Sequence, residues 1–279
     1  MTVSLPLDKT APSTISITTL SRSALLTDLD TRLAAGQGFA LATINLDHLV
    51  KLRRFPAFRT AYAAQTHVVV DGNPVVWLQR LAGNPVELIP GSELIEPLAA
   101  IAARLGVPVA FLGSTEGTLA MVSARLQSAH PGLSVVAKIA PLQGFDPEGP
   151  AGEAALQQLQ ASGARLCFLA LGAPKQEIFA ARCHAVLPEV GFMSIGAGLD
   201  FIAGSQMRAP VWVRRIAMEW AWRMALNPRR LARRYLDCAL ILPGLMLTAC
   251  SRSAAQLTPT QTESSPPSVA LHSGWSGLL

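Results

Sequence analysis

Paired cysteines are missing from this chain: the four it has, at 167, 183, 238 and 250, include no CxxC. Neither a zinc ribbon nor a disulfide framework is therefore expected. No DxD stands at a strand end and no His or carboxylate cluster has metal-ligand spacing, so no metal and no other cofactor is expected. A full GxGxxG is also absent, and no acid sits at a strand end about 20 residues beyond the nearest glycine-containing turn, which argues against a nicotinamide enzyme. No apolar run reaches the roughly 20 residues of a spanning helix. The N-terminus lacks a basic stretch followed by an apolar core and a small-residue cleavage site, so a reducing cytoplasmic setting is the expectation.

Charge is sparse as well. Only 15% of the 279 residues are charged while 50% are hydrophobic, and the mean hydropathy is +0.35. A chain this long supports one large α/β domain, or one domain plus an appendage, rather than two full domains. The net charge of +5 is uneven: Arg208, Arg214, Arg215, Arg223, Arg229, Arg230, Arg233 and Arg234 are accompanied by the single acid Glu219. Such a segment asks for an anionic partner, whether phosphoryl groups, an acidic membrane face or nucleic acid.

Short apolar runs alternate with helical patterns. Gly38 to Ile44, His67 to Val70, Val107 to Leu112, Leu133 to Ala137, Leu166 to Leu171 and Gly191 to Ile195 read as strands. The stretches between them, such as Glu93 to Leu105 and Gly117 to Ala129, carry apolar residues at helical spacing. This alternation predicts a Rossmann-like, mostly parallel α/β sheet flanked by helices. The expected division is a flexible leader over 1–20, the α/β catalytic domain over 21–205, a helical Arg/Trp-rich appendage over 206–250 and a disordered tail over 251–279. Within the appendage, Tyr235 to Cys250 is apolar but holds Asp237 and Pro243, so a packed or interfacial helix is expected rather than a span.

Ligands of open parallel sheets bind beyond the carboxyl ends of the strands, and the unusual residues of this chain cluster there. Thr43 and Asn45 end the first strand, and Asp71-Gly72 the second. Gly113-Ser114-Thr115-Glu116-Gly117 follows the third, Gly172 to Gln176 the fifth, and Gly196 to Asp200 the sixth. Asp71 follows a β-branched run and precedes a glycine, which can present a carboxylate over the sheet edge; Asp-Gly is equally a turn signal. Gly113 and Gly117 would let backbone amides approach a phosphate at a helix start. Asp47 and His48 read as helix-start chemistry.

The order Thr43-Ile44-Asn45, Asp71-Gly72, Gly172-Ala173-Pro174-Lys175-Gln176-Glu177, Gly196-Ala197-Gly198-Leu199-Asp200, Arg208-Ala209-Pro210, Glu219-Trp220 and Asn227-Pro228-Arg229-Arg230 resembles the WecG/TagA/CpsF family of bacterial glycosyltransferases over roughly Ala40 to Tyr235. The resemblance implies metal-independent, inverting transfer of a sugar from a UDP-sugar to an undecaprenyl-diphosphate-linked saccharide, for a cell-surface or exported polysaccharide. It implies that Asp71 is the base, that Thr43 and Asn45 serve the catalytic centre, and that Gly72, Gly113, Gln176 and Asp200 line the substrate site. Arg208 and Arg214 would contact the leaving group. Arg215, Arg223, Arg229, Arg230, Arg233 and Arg234, with Trp212 and Trp220, would meet diphosphate or an anionic membrane surface at the inner face of the cell membrane. One departure stands out: the family commonly has Arg-x-x-Gly-x-Asp-Leu where this chain reads Leu88-Ile89-Pro90-Gly91-Ser92-Glu93-Leu94.

Two rival readings are a nucleotide-cofactor oxidoreductase and a non-catalytic basic module for nucleic acid. The second would leave the strand-end motifs without a role, so nucleic acid is not the expected partner. The donor sugar, acceptor saccharide, linkage and any homo-oligomer stay open.

Overall fold

The computed structural model describes residues 3–6, 14–207, 209–210, 212–213 and 216–257. Six strands form one sheet: β3 (Phe39–Ile44), β4 (His67–Val70), β5 (Val109–Gly113), β6 (Val135–Ile139), β7 (Leu166–Ala170) and β8 (Gly191–Ser194). Their lateral order is β4-β3-β8-β7-β5-β6, and every pairing is parallel. The composition of the strands explains this. Phe39-Ala-Leu-Ala-Thr-Ile44 and His67-Val-Val-Val70 are buried at every position, as strands with both faces covered must be.

Alternation along each strand divides the core in two. Leu41, Val69, Val109, Phe111, Leu166, Phe168 and Met193 face one way. They meet α1 (Arg22–Ala34), α5 (Gly91–Leu105), α6 (Glu116–Ala129) and α9 (Gly198–Ala203) through Leu25, Leu29, Leu94, Leu98, Leu119, Val122 and Leu199. Phe111 and Phe168, on neighbouring strands, stack with centroids 5.6 Å apart. On the other face, Ala42, Ile44, Val68 and Val70 lie under α2 (Leu46–Arg54), α3 (Pro56–Ala63) and α4 (Asn73–Leu81). Ala110, Leu112, Cys167, Leu169 and Phe192 lie under α7 (Pro150–Ser162) and α8 (Lys175–Val186).

The stretch expected as a leader, 1–20, contains an antiparallel pair, β1 (Val3–Pro6) and β2 (Thr14–Ile17). Ile15 and Ile17 are buried against the β3–β4 side of the core. The Thr18 amide bonds the Val68 carbonyl at 3.1 Å, its Oγ1 accepts from the Val68 amide at 2.8 Å, and the Ile89 amide bonds the Val70 carbonyl at 2.7 Å. The open edge of β4 is thereby covered, as an edge strand requires. A four-residue Thr-Ile-Ser-Ile alternation is too short to stand out amid the surrounding Ser, Thr and Pro.

Beyond α9, the described residues include α10 (Glu219–Leu226) and α11 (Pro228–Leu257). Buried Leu231, Cys238, Leu245 and Ala249 recur at helical spacing along α11, the last two inside the core cluster over β3 and β4. Ion pairs join Arg54 to Asp237 at 3.0 Å and Arg234 to Asp47 at 3.1 Å, so this helix is folded back on the helix-covered face of the sheet. Its other side exposes Leu236, Leu240 and Leu247. Among the described residues no helix is long and apolar enough to cross a membrane. The expected tail continues helical to Leu257, and residues 258–279 lie outside the described residues.

Candidate active site at the carboxyl edge of the sheet

All six strands end at one edge, so neighbouring turns lie about 5 Å apart across the sheet. Asp71 follows β4, Asn45 follows β3, Gly196 lies beyond β8, Gly172 beyond β7 and Ser114 follows β5. The Asp71 amide donates to the Ile44 carbonyl at 2.8 Å, extending the β3–β4 ladder one residue past the strand. Gly72 then turns with φ 142°, and a Cβ there would stand 3.4 Å from the Asn45 Cβ. Glycine thus sets the half-buried Asp71 beside the Asn45 turn. Asn45 caps α2, its Oδ1 accepting the His48 amide at 3.0 Å. The N-terminus of α5 completes this corner, since a Cβ on Gly91 would lie 3.2 Å from both the Thr43 Cγ2 and the Ser194 carbonyl. Thr43, Asn45, Asp71 and Gly72 are therefore brought together.

A buried polar chain lies beneath this corner. The Tyr62 hydroxyl donates to the Thr43 carbonyl at 2.7 Å and is 2.7 Å from His48 Nδ1. The phenol proton is spent on the carbonyl, so the imidazole must donate from Nδ1. Burial pushes His48 down to about 3 and keeps it neutral. Tyr62 is pushed well up by burial and, next, by repulsion from Glu177, Asp71 and Asp47. Nothing in the sequence pattern marked Tyr62 or His48 as parts of this support; α2 and α3 bring them under the end of β3.

Gln176, expected to contact substrate, is 2% exposed. Its Oε1 accepts the amides of Gly172 at 3.2 Å and Gly196 at 3.1 Å, and its Nε2 donates to Glu177 Oε1 at 2.8 Å. Gln176 thus ties the turns after β7 and β8 together. Glu177 has no exposed surface, and burial pushes it up from 4.5 to about 7. Between those limits the folded chain holds a proton that the unfolded chain has released, so stability falls as pH rises from about 4.5 to about 7. Over about 2.5 units the loss amounts to roughly 3 kcal/mol. Glu177→Gln keeps the acceptor for Gln176 and removes the ionisation. Urea titrations should give it a higher midpoint than wild type at pH 8 and an equal one at pH 4; equal midpoints at both would show that Glu177 does not titrate this way.

Asp200 joins the turns after β5 and β8. Its Oδ1 accepts Ser114 Oγ at 2.7 Å and its Oδ2 accepts Gln206 Nε2 at 3.0 Å. Gly113 has φ 118°, and a Cβ on it would lie 2.3 Å from the Ala170 carbonyl oxygen, so strand packing accounts for that glycine. Leu88 is exposed just before Ile89, whose amide bonds the end of β4. The departure from the commoner arginine therefore falls beside the Asp71 turn.

Of the arginines named from the sequence, Arg208, Arg214 and Arg215 lie outside the described residues, as do the side chains of Arg223 and Arg230. Arg229 and Arg233 are exposed, as are Trp212 and Trp220, the latter edge-on to Tyr235 at 5.9 Å. Arg234 instead pairs with Asp47. Among the described residues no three His, Cys, Asp or Glu side chains gather as a metal site.

A parallel α/β sheet with a carboxylate, an amide and glycine turns along its carboxyl edge has the arrangement at which α/β proteins generally take small polar ligands. The Glycosyl transferase WecG/TagA/CpsF family profile matches residues 12–255, and the chain belongs to that family. Membership makes it a glycosyltransferase of cell-surface polysaccharide biosynthesis.

Proposed function

We propose that the protein is an inverting, metal-independent glycosyltransferase that takes a hexosyl or N-acetylhexosaminyl group from a UDP-sugar to a hydroxyl of an undecaprenyl-diphosphate-linked saccharide. The observation that carries this reading is the placement of Asp71 on a turn braced by the Ile44 carbonyl and abutting Asn45. In the reaction the acceptor oxygen forms a bond to the anomeric carbon from the face opposite the diphosphate. The carbon–oxygen bond to diphosphate breaks, the nucleoside diphosphate leaves with the electron pair, and the hydroxyl proton passes to the Asp71 carboxylate. Thr43 and Asn45 orient the reactants. Gln176 and Asp200 act by holding the surrounding turns, and helix N-termini with cations from the Arg208–Arg215 stretch balance the leaving diphosphate.

The exposed row Leu236, Leu240 and Leu247, with Trp212, Trp220, Arg229 and Arg233, supports peripheral attachment to an anionic membrane on its cytoplasmic side. A panel of UDP-sugars offered with lipid-diphosphate mono- and disaccharides, in EDTA and read by mass spectrometry, tests the reaction. One donor should add a single sugar in EDTA. Transfer restored only by added divalent metal would overturn the metal-independent mechanism, and cofactor-linked redox turnover without transfer would overturn the reaction class.

A further inference from the structure

A partly buried side-chain relay connects the C-terminal helix to the turn after β7. Asp47, in the first turn of α2, is 8% exposed. Its Oδ2 lies 2.7 Å from Lys51 Nζ, one helical turn along, and 3.1 Å from an Arg234 guanidinium nitrogen on α11. Lys51 Nζ also donates to the Ala173 carbonyl at 3.0 Å. Ala173 is the residue after Gly172, whose amide is held by Gln176 Oε1, and Gln176 holds Gly196 on the next turn. One ammonium therefore grips the backbone of a site turn and the carboxylate that anchors the C-terminal helix.

We infer that Lys51 is a positioning residue for sugar transfer, and that the Asp47–Arg234 pair places its hold on the Ala173 turn under the control of α11. The physical case rests on sharing. Asp47 has little access to water, so its charge must be satisfied by both cations. When α11 is seated, Arg234 supplies part of that charge and leaves Lys51 free to direct a proton at the Ala173 carbonyl. When α11 lifts, Asp47 competes for Lys51 and the turn loosens. A helix that meets a partner surface with its outer side and the site turn through its inner side would thus report docking to the catalytic centre. Arg54 offers an internal control, because its bond to Asp237 also anchors α11 but does not touch Lys51.

This assignment rests on the reading of the Gly172–Gln176 turn as part of the donor site. It is tested on the full chain by hydrogen–deuterium exchange over 171–178 and by UDP binding. Arg234→Met and Lys51→Met should each speed exchange at the Gly172 and Gln176 amides by about ten-fold, while Arg54→Met leaves them at the wild-type rate. Both should weaken UDP binding, and the double variant should weaken it no further than Lys51→Met alone, as members of one relay do. Equal effects of Arg54→Met and Arg234→Met on 171–178 would overturn the relay, because loosening of α11 would then be sufficient. Unchanged exchange in Lys51→Met would also overturn it. Exchange coupling in a wild-type protein that binds no UDP would sustain the relay and refute the donor-site reading.

Discussion

Asp71→Asn is expected to lower the rate of sugar transfer by a factor of about 100 to 10,000 while leaving UDP affinity near that of wild type. Asparagine matches aspartate in size and keeps one oxygen, so the 2.8 Å bond from the residue-71 amide to Ile44 and the Gly72 turn persist. What it loses is the ability to accept the acceptor's proton as the new bond forms. Thr43, Asn45 and the His48–Tyr62 support under them are untouched, so ground-state binding should be spared and the deficit should appear in the chemical step. Single-turnover kinetics beside UDP titration calorimetry would separate the two. A variant that transfers at the wild-type rate would remove Asp71 from the mechanism, and one that loses both rate and UDP binding would make it a binding residue.

Gly113→Ala should be the most damaging conservative change in the sheet. Two costs combine: a φ of 118° disfavours any residue with a Cβ by about 1–2 kcal/mol, and a methyl 2.3 Å from the Ala170 carbonyl oxygen must push β5 and β7 apart, at about 1–3 kcal/mol. The sum, about 2–5 kcal/mol, is a large part of the total stability of a domain. β5 and β7 carry the stacked Phe111 and Phe168 at the centre of the core, so the displacement cannot be absorbed locally. A urea midpoint within error of wild type, with UDP binding lost, would return Gly113 to the phosphate-approach role that the sequence suggested.

Much of the fold was legible because its signals are local. Each expected strand is present within two residues of its expected ends, since a short apolar run reads the same in sequence as in space, most plainly for β3, β4, β5 and β8, which are buried at every position. Asp71 and Asn45 were legible for a related reason: a residue that follows a strand in a parallel sheet is placed at the ligand edge by the strand itself. Ile15 and Ile17 were not, because a four-residue alternation carries little information until β4 offers it an edge to cover.

Side-chain commitments were the least legible. Gln176 and Asp200 have the chemistry of ligand contacts, but the structure directs their polar atoms to neighbouring turns. Arg234 belongs to a run of eight arginines with one acid among them, and its partner Asp47 lies far away in the chain. The sequence alone determined the parallel sheet, which of its unusual residues follow the strands, and the basic character of the C-terminal segment, through periodicity and composition, which act between near neighbours. Only the tertiary structure decided which polar residues brace the turns. That choice depends on donors and acceptors from distant segments meeting within about 3 Å, a distance no spacing along the chain encodes.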